Sequence, residues 1–231
     1  MSRKIGIICS VIISIIAYSM NDVFIDLDIK IGASTLALIL GALSANLVPN
    51  IEKGGKWMIK IMMPLAIILL GFALNLTSFF GSDIGYLGLI VVIITATTSF
   101  MACYFIGKCM KLDLETSLAL GTGGAICGNS AVIAVSPGLK LKEEKVGVIL
   151  AIINLLGLIT FFIIPVLSKL LNLTEEQAGI WAGSVIHAVP QAIAAGESIG
   201  PEAIVIATTA KLSRVSLLVI IVPLCAIIAN N

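Results

Sequence analysis

Long apolar stretches separated by short polar breaks run along almost the whole chain. Eight can be divided at charged or turn-rich breaks, at about residues 5–20, 31–48, 58–80, 84–107, 116–137, 146–171, 178–196 and 203–229. Most approach the roughly 20 residues that a helix needs to cross a hydrocarbon core of about 30 Å. The pattern therefore predicts an all-α, polytopic membrane protein in which residues 1–231 form a single transmembrane domain.

Two of the stretches are too rich in glycine, proline and polar residues to form continuous helices. The fifth contains GTGGAICGNSAV, starting at Gly121, and the seventh contains GSVIHAVPQAIAAG, starting at Gly183. In lipid, irregular backbone survives only where protein or a polar cavity surrounds it. Broken helices of this kind form the binding sites of secondary transporters. We therefore expect a transporter-like architecture with a site at the two broken stretches.

The lysine and arginine content of the short loops predicts the orientation. Basic residues precede the first stretch and follow the second and the fourth, which predicts a cytoplasmic N-terminus. Lys140, Lys142 and Lys145 follow the fifth stretch, where a simple crossing would place them outside. Either the fifth stretch re-enters, with the seventh entering from the opposite face, or the fifth is a crossing helix broken at its glycines. The sequence leaves both arrangements open.

The fifth stretch places polar and small residues at membrane depth: Gly124, Cys127, Gly128, Asn129 and Ser130. Glycine allows a ligand to approach the backbone closely. A half-helix beginning after Gly128 would direct free N–H groups towards an anion. Small residues also let helices pack closely without any ligand. Because unsatisfied polar groups are costly in hydrocarbon, we predict a substrate site at these residues.

The seventh stretch carries the only histidine of the chain, His187. Ser184, His187 and Gln191 are spaced i, i+3 and i+7, so a continuous helix would place them on one face. The imidazole is suited to binding an anion or relaying a proton, and the alternative is a neutral histidine bonded to a helix carbonyl. Pro190 removes a backbone donor, which frees the carbonyl near Ile186 for a ligand or an ion.

Two cations, Lys211 and Arg214, lie one turn apart in the eighth stretch. Each costs roughly 2.5 to 3.5 kcal/mol at that depth, so each needs a bound anion, a facing carboxylate or a snorkelling conformation. We predict that Arg214 binds an anion near Gly128 through a bidentate fork, with Lys211 as a point charge. Asn154 in the sixth stretch is a further polar residue that binds substrate or forms an interhelical hydrogen bond.

Composition narrows the class of protein. Apolar residues make up 59% of the chain, charged residues 12%, and the mean hydropathy is +1.14, which excludes a soluble domain. A net charge of +1 excludes nucleic acid as a partner. The five cysteines lack metal-ligand or paired spacing, so we expect free thiols and no metal or cofactor. One histidine and no carboxylate within the apolar stretches argue against an enzyme, although Cys127 and His187 are a conceivable pair.

Several motifs in order along the chain carry a family resemblance: ANLVPN, PLAIILLGFALNL, GTGGAICGNSAV, KLKEEKVGV, GIWAGSVIHAVPQAIAAG and ATTAKLSRV. The chain resembles the YeiH-type bacterial inner-membrane family, often labelled sulfate exporters. The resemblance implies a polytopic transporter, related in fold to transporters with inverted repeats and broken crossing helices. Asn129 stands where that family usually has alanine. Members also run on well beyond the position of Asn231, which implies a short form completed by dimerisation, a fragment or an inactive relative.

Together these patterns predict a gradient-driven secondary transporter, an exporter of a small inorganic or organic anion such as sulfate. We expect it in the bacterial inner membrane, in contact with lipid and as a homodimer. A non-transporting membrane subunit or an inactive short relative is the alternative, ahead of an intramembrane enzyme.

Overall fold

The computed structural model describes residues 2–26, 32–47, 54–58, 61–62, 65, 69 and 83–230. The chain divides into two compact units, Met1–Ser78 and Phe79–Asn231. In the first unit, α1 (Ser2–Asp26) packs against α2 (Ala33–Leu47). The single transmembrane domain expected from the sequence stays a prediction.

The second unit contains eight of the described helices. They are α3 (Asp83–Cys109), α4 (Leu114–Ala125), α5 (Asn129–Val135), α6 (Glu143–Leu170), α7 (Glu175–Val185), α8 (Val189–Ile199), α9 (Pro201–Ser216) and α10 (Leu218–Asn230). The predicted all-α, polytopic membrane fold is confirmed.

Four regions of the described chain are long and apolar enough to cross a membrane: Lys4–Val23, Tyr86–Cys109, Glu143–Leu170 and Pro201–Ala229. The last of these combines α9 and α10, which are separated at Leu217. The predicted third stretch, 58–80, lies almost entirely outside the described residues. The predicted fifth and seventh stretches are indeed broken, and each forms a pair of short helices.

The fifth stretch forms the first hairpin (residues 113–142), in which α4 and α5 are joined by a break at 126–128. With 12 and 7 residues, these helices are about 18 and 10 Å long, so neither spans a bilayer. Asp113 caps the start of α4 and accepts a hydrogen bond from Lys145 Nζ, beyond the end of the hairpin, at 2.8 Å. Asp113 also lines one small cavity together with residues 138–141. The hairpin therefore leaves at the end where it entered, which is the re-entrant arrangement.

The seventh stretch forms the second hairpin (residues 174–200), in which α7 and α8 are joined by a break at 186–188. Its ends also meet. Glu175 Oε2 accepts a hydrogen bond from the backbone N–H of Glu202 at 2.9 Å. A Cβ atom at Gly200 would lie 2.2 Å from the carboxyl carbon of Glu175, so this carboxylate packs directly against the glycine.

The two hairpins enter from opposite ends of α6. The first hairpin opens beside Lys145 at the start of α6, and the second begins at Thr174, just after α6 ends. The 28 residues of α6 make this helix about 42 Å long, enough to separate the two ends across a bilayer.

The tips of the two hairpins meet beside the middle of α6. A Cβ atom at Gly128, in the first break, would lie 3.0 Å from Ile153 Cγ2 and 3.2 Å from His187 Cβ in the second break. A Cβ atom at Gly157 would lie 3.6 Å from the same His187 atom. Ile153 and Gly157 follow Glu143 by about 15 and 21 Å along the helix. Both breaks therefore lie near mid-depth.

Close packing of small residues brings α9 to the hairpin tips. A Cβ atom at Gly183 of α7 would lie 2.3 Å from the carbonyl oxygen of Ala207, so glycine is needed for this approach. After Leu217, α10 continues along the first hairpin, where Cys225 Sγ lies 3.4 Å from Thr122 Oγ1. As a result, the middle of α9 faces both breaks.

Candidate functional site

Lys211 of α9 connects the two hairpin tips. Its Nζ atom donates to the carbonyl oxygen of Ile126 at 2.9 Å and to that of Ile186 at 2.6 Å. Ile126 is the first residue of the first break, and Ile186 holds the same position in the second. The side chain of Lys211 is fully buried. The two breaks are therefore attached to one ammonium group.

Arg214, one turn further along α9, repeats this connection. Its Nε donates to the carbonyl of Ala125 at 2.5 Å, Nη2 donates to that of Gly124, and Nη1 donates to that of Ser184. Each nitrogen of the buried guanidinium thus binds a backbone carbonyl. Two of these carbonyls belong to the first hairpin and one belongs to the second.

These contacts explain how two cations are accommodated at mid-depth. The last carbonyls of a helix have no intrahelical donor and carry partial negative charge, which favours a cation. Lys211 and Arg214 donate hydrogen bonds to carbonyls at the C-terminal ends of both α4 and α7. Backbone carbonyls were not among the partners expected from the sequence. The carbonyl of Ile186 is free of the helix, as Pro190 predicted, and it binds Lys211. Binding of substrate by the two cations stays a prediction.

A second set of polar residues lies beside the tips, against α6. The polar cluster consists of Asn129 at the start of α5, Asn154 of α6, His187 in the second break and Gln191 of α8. Asn129 Nδ2 donates to Asn154 Oδ1 at 2.6 Å. A Cβ atom at Gly157 would lie 3.0 Å from Gln191 Oε1 and 3.6 Å from His187 Cβ. All four side chains therefore lie around one turn and a half of α6.

Two atoms of the polar cluster are buried without a hydrogen-bond partner, namely Asn129 Oδ1 and His187 Nδ1. An unpaired buried polar group costs roughly 1 to 3 kcal/mol, and such groups are uncommon enough to need an explanation. Asn154 and the neighbouring Ser130 are exposed in the described chain, so the cluster is accessible. A bound polar ligand would satisfy both atoms.

Cys127 lies between the polar cluster and the cations. Its side chain is buried. Cys127 and His187 occupy equivalent positions, because each follows the residue whose carbonyl binds Lys211.

One prediction about the site is wrong. Ser184, His187 and Gln191 do not share a helical face, because the helix is interrupted between them and Ile186 adopts an extended conformation with ψ of 133°. Ser184 lies on α7, and its hydroxyl donates to the carbonyl of Trp181 at 3.1 Å. Gly124 likewise lies behind the tip, where a Cβ atom would be 2.7 Å from Cys103 Sγ of α3.

Of the predicted site residues, Gly128, Asn129, Asn154, His187 and Gln191 come together. Sequence reasoning missed Gly157, against which His187 and Gln191 lie. Its position three residues after Asn154 in a long apolar helix was the available signal. The carbonyls that bind the two cations were also missed, because no side-chain pattern marks them.

Comparison with known proteins gives relatives over most of the chain. A UPF0324 membrane protein of Yersinia pestis is 33% identical over 231 residues, covering 94% of this chain and 63% of that protein. A UPF0324 membrane protein of Bartonella henselae is 33% identical over 218 residues, covering 92% and 62%. The UPF0324 inner membrane protein YeiH of Escherichia coli K12 is 36% identical over 194 residues, covering 80% and 55%.

The chain thus spans 55% to 63% of the length of these relatives. No solved structure matches it. The model of one protein family, described as conserved hypothetical protein 698, matches residues 5–231. These matches confirm the resemblance to YeiH-type membrane proteins, and the chain belongs to the conserved hypothetical protein 698 family.

Proposed function

We propose that this protein is a gradient-driven secondary transporter of a small anion and that the polar cluster is its substrate site. The supporting observation is the meeting of two re-entrant hairpins, from opposite ends of α6, at mid-depth. Secondary transporters bind substrate near the bilayer midplane at interrupted helices. Irregular backbone at that depth is tolerated where protein or a polar cavity surrounds it.

The charge at the tips favours an anion. Lys211 and Arg214 are both buried within the described core and neutralise only the partial charges of helix carbonyls. Their remaining positive charge acts across a medium of low dielectric constant, where electrostatic attraction is strong. Sulfate, the substrate in the label of the resembled family, is one anion of this class.

We further propose that the protein acts in the inner membrane as a homodimer. Asn154 and Ser130 are exposed on an otherwise apolar surface of the described chain, and polar groups facing lipid are costly. A second copy would cover this surface and enclose the site. Mass measurement in nanodiscs tests the proposal, and a monomer active in transport would contradict it.

Uptake of radiolabelled anions into proteoliposomes tests the transport function. The probes are sulfate, lactate and propionate, each with and without an imposed gradient of pH or sodium. We expect gradient-dependent uptake that falls about tenfold in His187→Ala, because the cluster loses a ligand-binding ring. Ser213→Ala is the control, since in the described chain this hydroxyl donates to the carbonyl oxygen of Thr209 in its own helix. Absence of uptake with all probes would favour a non-transporting subunit.

A further inference from the structure

The polar cluster offers hydrogen-bond acceptors as well as donors, and this limits what it binds. We infer that its ligand is a small monoanion carrying a hydrogen-bond donor, such as a hydroxy acid, and that Asn129 selects it over sulfate. The inference rests on the proposed function, whose site it shares.

Asn129 Oδ1 and His187 Nδ1 lack a hydrogen-bond partner among the described residues. Asn129 already donates through Nδ2 to Asn154, which leaves its buried Oδ1 as an acceptor. The neutral imidazole of His187 presents one donor and one acceptor in either tautomer. A complementary ligand therefore donates a hydrogen bond to Asn129 Oδ1. Sulfate has only acceptor oxygens, so it would meet that carbonyl oxygen with its own negative charge.

The surroundings of the two cations limit the charge of the ligand. A buried dianion needs direct, charge-assisted hydrogen bonds to offset its lost hydration. Every nitrogen of Arg214 already donates to a carbonyl, and the ammonium of Lys211 donates to two. Among the hydrogen bonds of the described residues, none joins either cation to a side chain of the polar cluster, so both cations act on the cluster through their electrostatic potential. That arrangement suits a single negative charge better than two.

Asn129 is the specificity-determining residue in this arrangement. It lies at the first position of α5, where alanine is compatible with a helix. Asn129→Ala removes the unpaired acceptor and leaves His187 and Gln191 in place. The substitution therefore tests selection of the ligand separately from formation of the site.

The experiment measures dissociation constants of lactate, propionate and sulfate for the full chain in lipid nanodiscs at neutral pH. Lactate and propionate share charge and carbon skeleton and differ by one hydroxyl. We expect lactate to bind about tenfold more tightly than propionate or sulfate, the equivalent of one hydrogen bond. In Asn129→Ala the preference over propionate disappears, whereas Ser213→Ala retains it.

The dissociation constants of the unsubstituted protein test the inference by themselves. The test therefore remains possible if Asn129→Ala does not fold. Equal binding of lactate and propionate, or tighter binding of sulfate, overturns the inference and leaves the proposed function standing. Absence of binding by all three probes, together with absence of uptake, overturns both. Retention of the full lactate preference in folded Asn129→Ala overturns the role of Asn129.

Discussion

The Nζ atom of Lys211 lies 2.6 Å from the carbonyl oxygen of Ile186, at the point where the second broken helix is interrupted. The same atom binds the equivalent carbonyl of the first hairpin, that of Ile126. One side chain thus holds together two hairpins that enter from opposite ends. This connection makes the geometry of the tips depend on α9.

Lys211→Met should destabilise the protein. The substitution leaves the carbonyls of Ile126 and Ile186 without their donor, at roughly 1 to 3 kcal/mol for each buried group. We expect a clear fall in the thermal unfolding temperature of the purified protein. Lys169→Met, at an exposed lysine of α6, is the matched control and should have little effect. Similar unfolding temperatures for the two variants would contradict the structural role of Lys211.

Arg214→Lys separates helix capping from ligand binding. A lysine keeps the charge but has one nitrogen, whereas the guanidinium binds both hairpins through three. We therefore expect lower thermal stability with a smaller effect on anion affinity in the folded protein. Unchanged stability with much weaker affinity would instead support the direct anion contact predicted from the sequence. Dissociation constants and unfolding temperatures measured on the same preparation decide between the two.

Some features of the fold and of the site could be predicted from the sequence, and others could not. Hydropathy located the four regions of the described chain that are long and apolar enough to cross a membrane. Clustered glycines, Pro190 and polar residues located both breaks. The partners of Lys211 and Arg214 could not be predicted, because the carbonyls lie up to 90 positions away and have no side-chain signature. The prediction that Ser184 and His187 share a helical face was wrong, because that spacing applies only to a continuous helix and the helix is interrupted before Pro190.

Gly128→Ala should destabilise the first tip. Gly128 has φ of 66°, and a Cβ atom there would crowd both Ile153 and His187. Strain at such a position costs roughly 1 to 3 kcal/mol. Gly147→Ala is the control, because a Cβ atom there meets nothing within 4 Å, and alanine favours a helix over glycine. We expect the two unfolding temperatures to shift in opposite directions, and a shared direction would argue against this backbone geometry.

The ion pair between Lys145 and Asp113, where the first hairpin opens, should make the stability of the fold depend on pH in the acidic range. The hydrogen bond from Lys145 holds the pKa of Asp113 below its usual range. The ionised form therefore stabilises the fold above the unfolded pKa of about 3.9, and this contribution is lost as pH falls further. The side chains are 46% and 39% exposed, so the effect stays below about 1 kcal/mol.

Asp113→Asn tests this dependence while keeping a good helix cap. The variant should be slightly less stable than the parent near neutral pH, and the difference should shrink below about pH 4. Thermal unfolding across pH 3 to 7, at about 0.1 M salt, measures it. A difference that is constant over this range would show that the carboxylate charge is not involved.

The two hairpins predict on which side of the membrane each loop lies, which the loop charges alone did not determine. Because the first hairpin returns to the end where it entered, Lys142 lies on the same side as Lys111. Asn172, which follows α6, lies on the opposite side. From the positive charge of the Lys111 and Lys142 loops, we predict that this side faces the cytoplasm.

Single cysteines at these three positions in a cysteine-free background test the topology in intact cells. An impermeant thiol reagent should label Asn172→Cys readily, whereas Lys111→Cys and Lys142→Cys should react only after the membrane is permeabilised. External labelling of Lys142→Cys with protection of Lys111→Cys would mean that the fifth stretch crosses the membrane. External labelling of both lysine positions, with protection at 172, would keep the re-entrant hairpins and reverse the orientation of the chain.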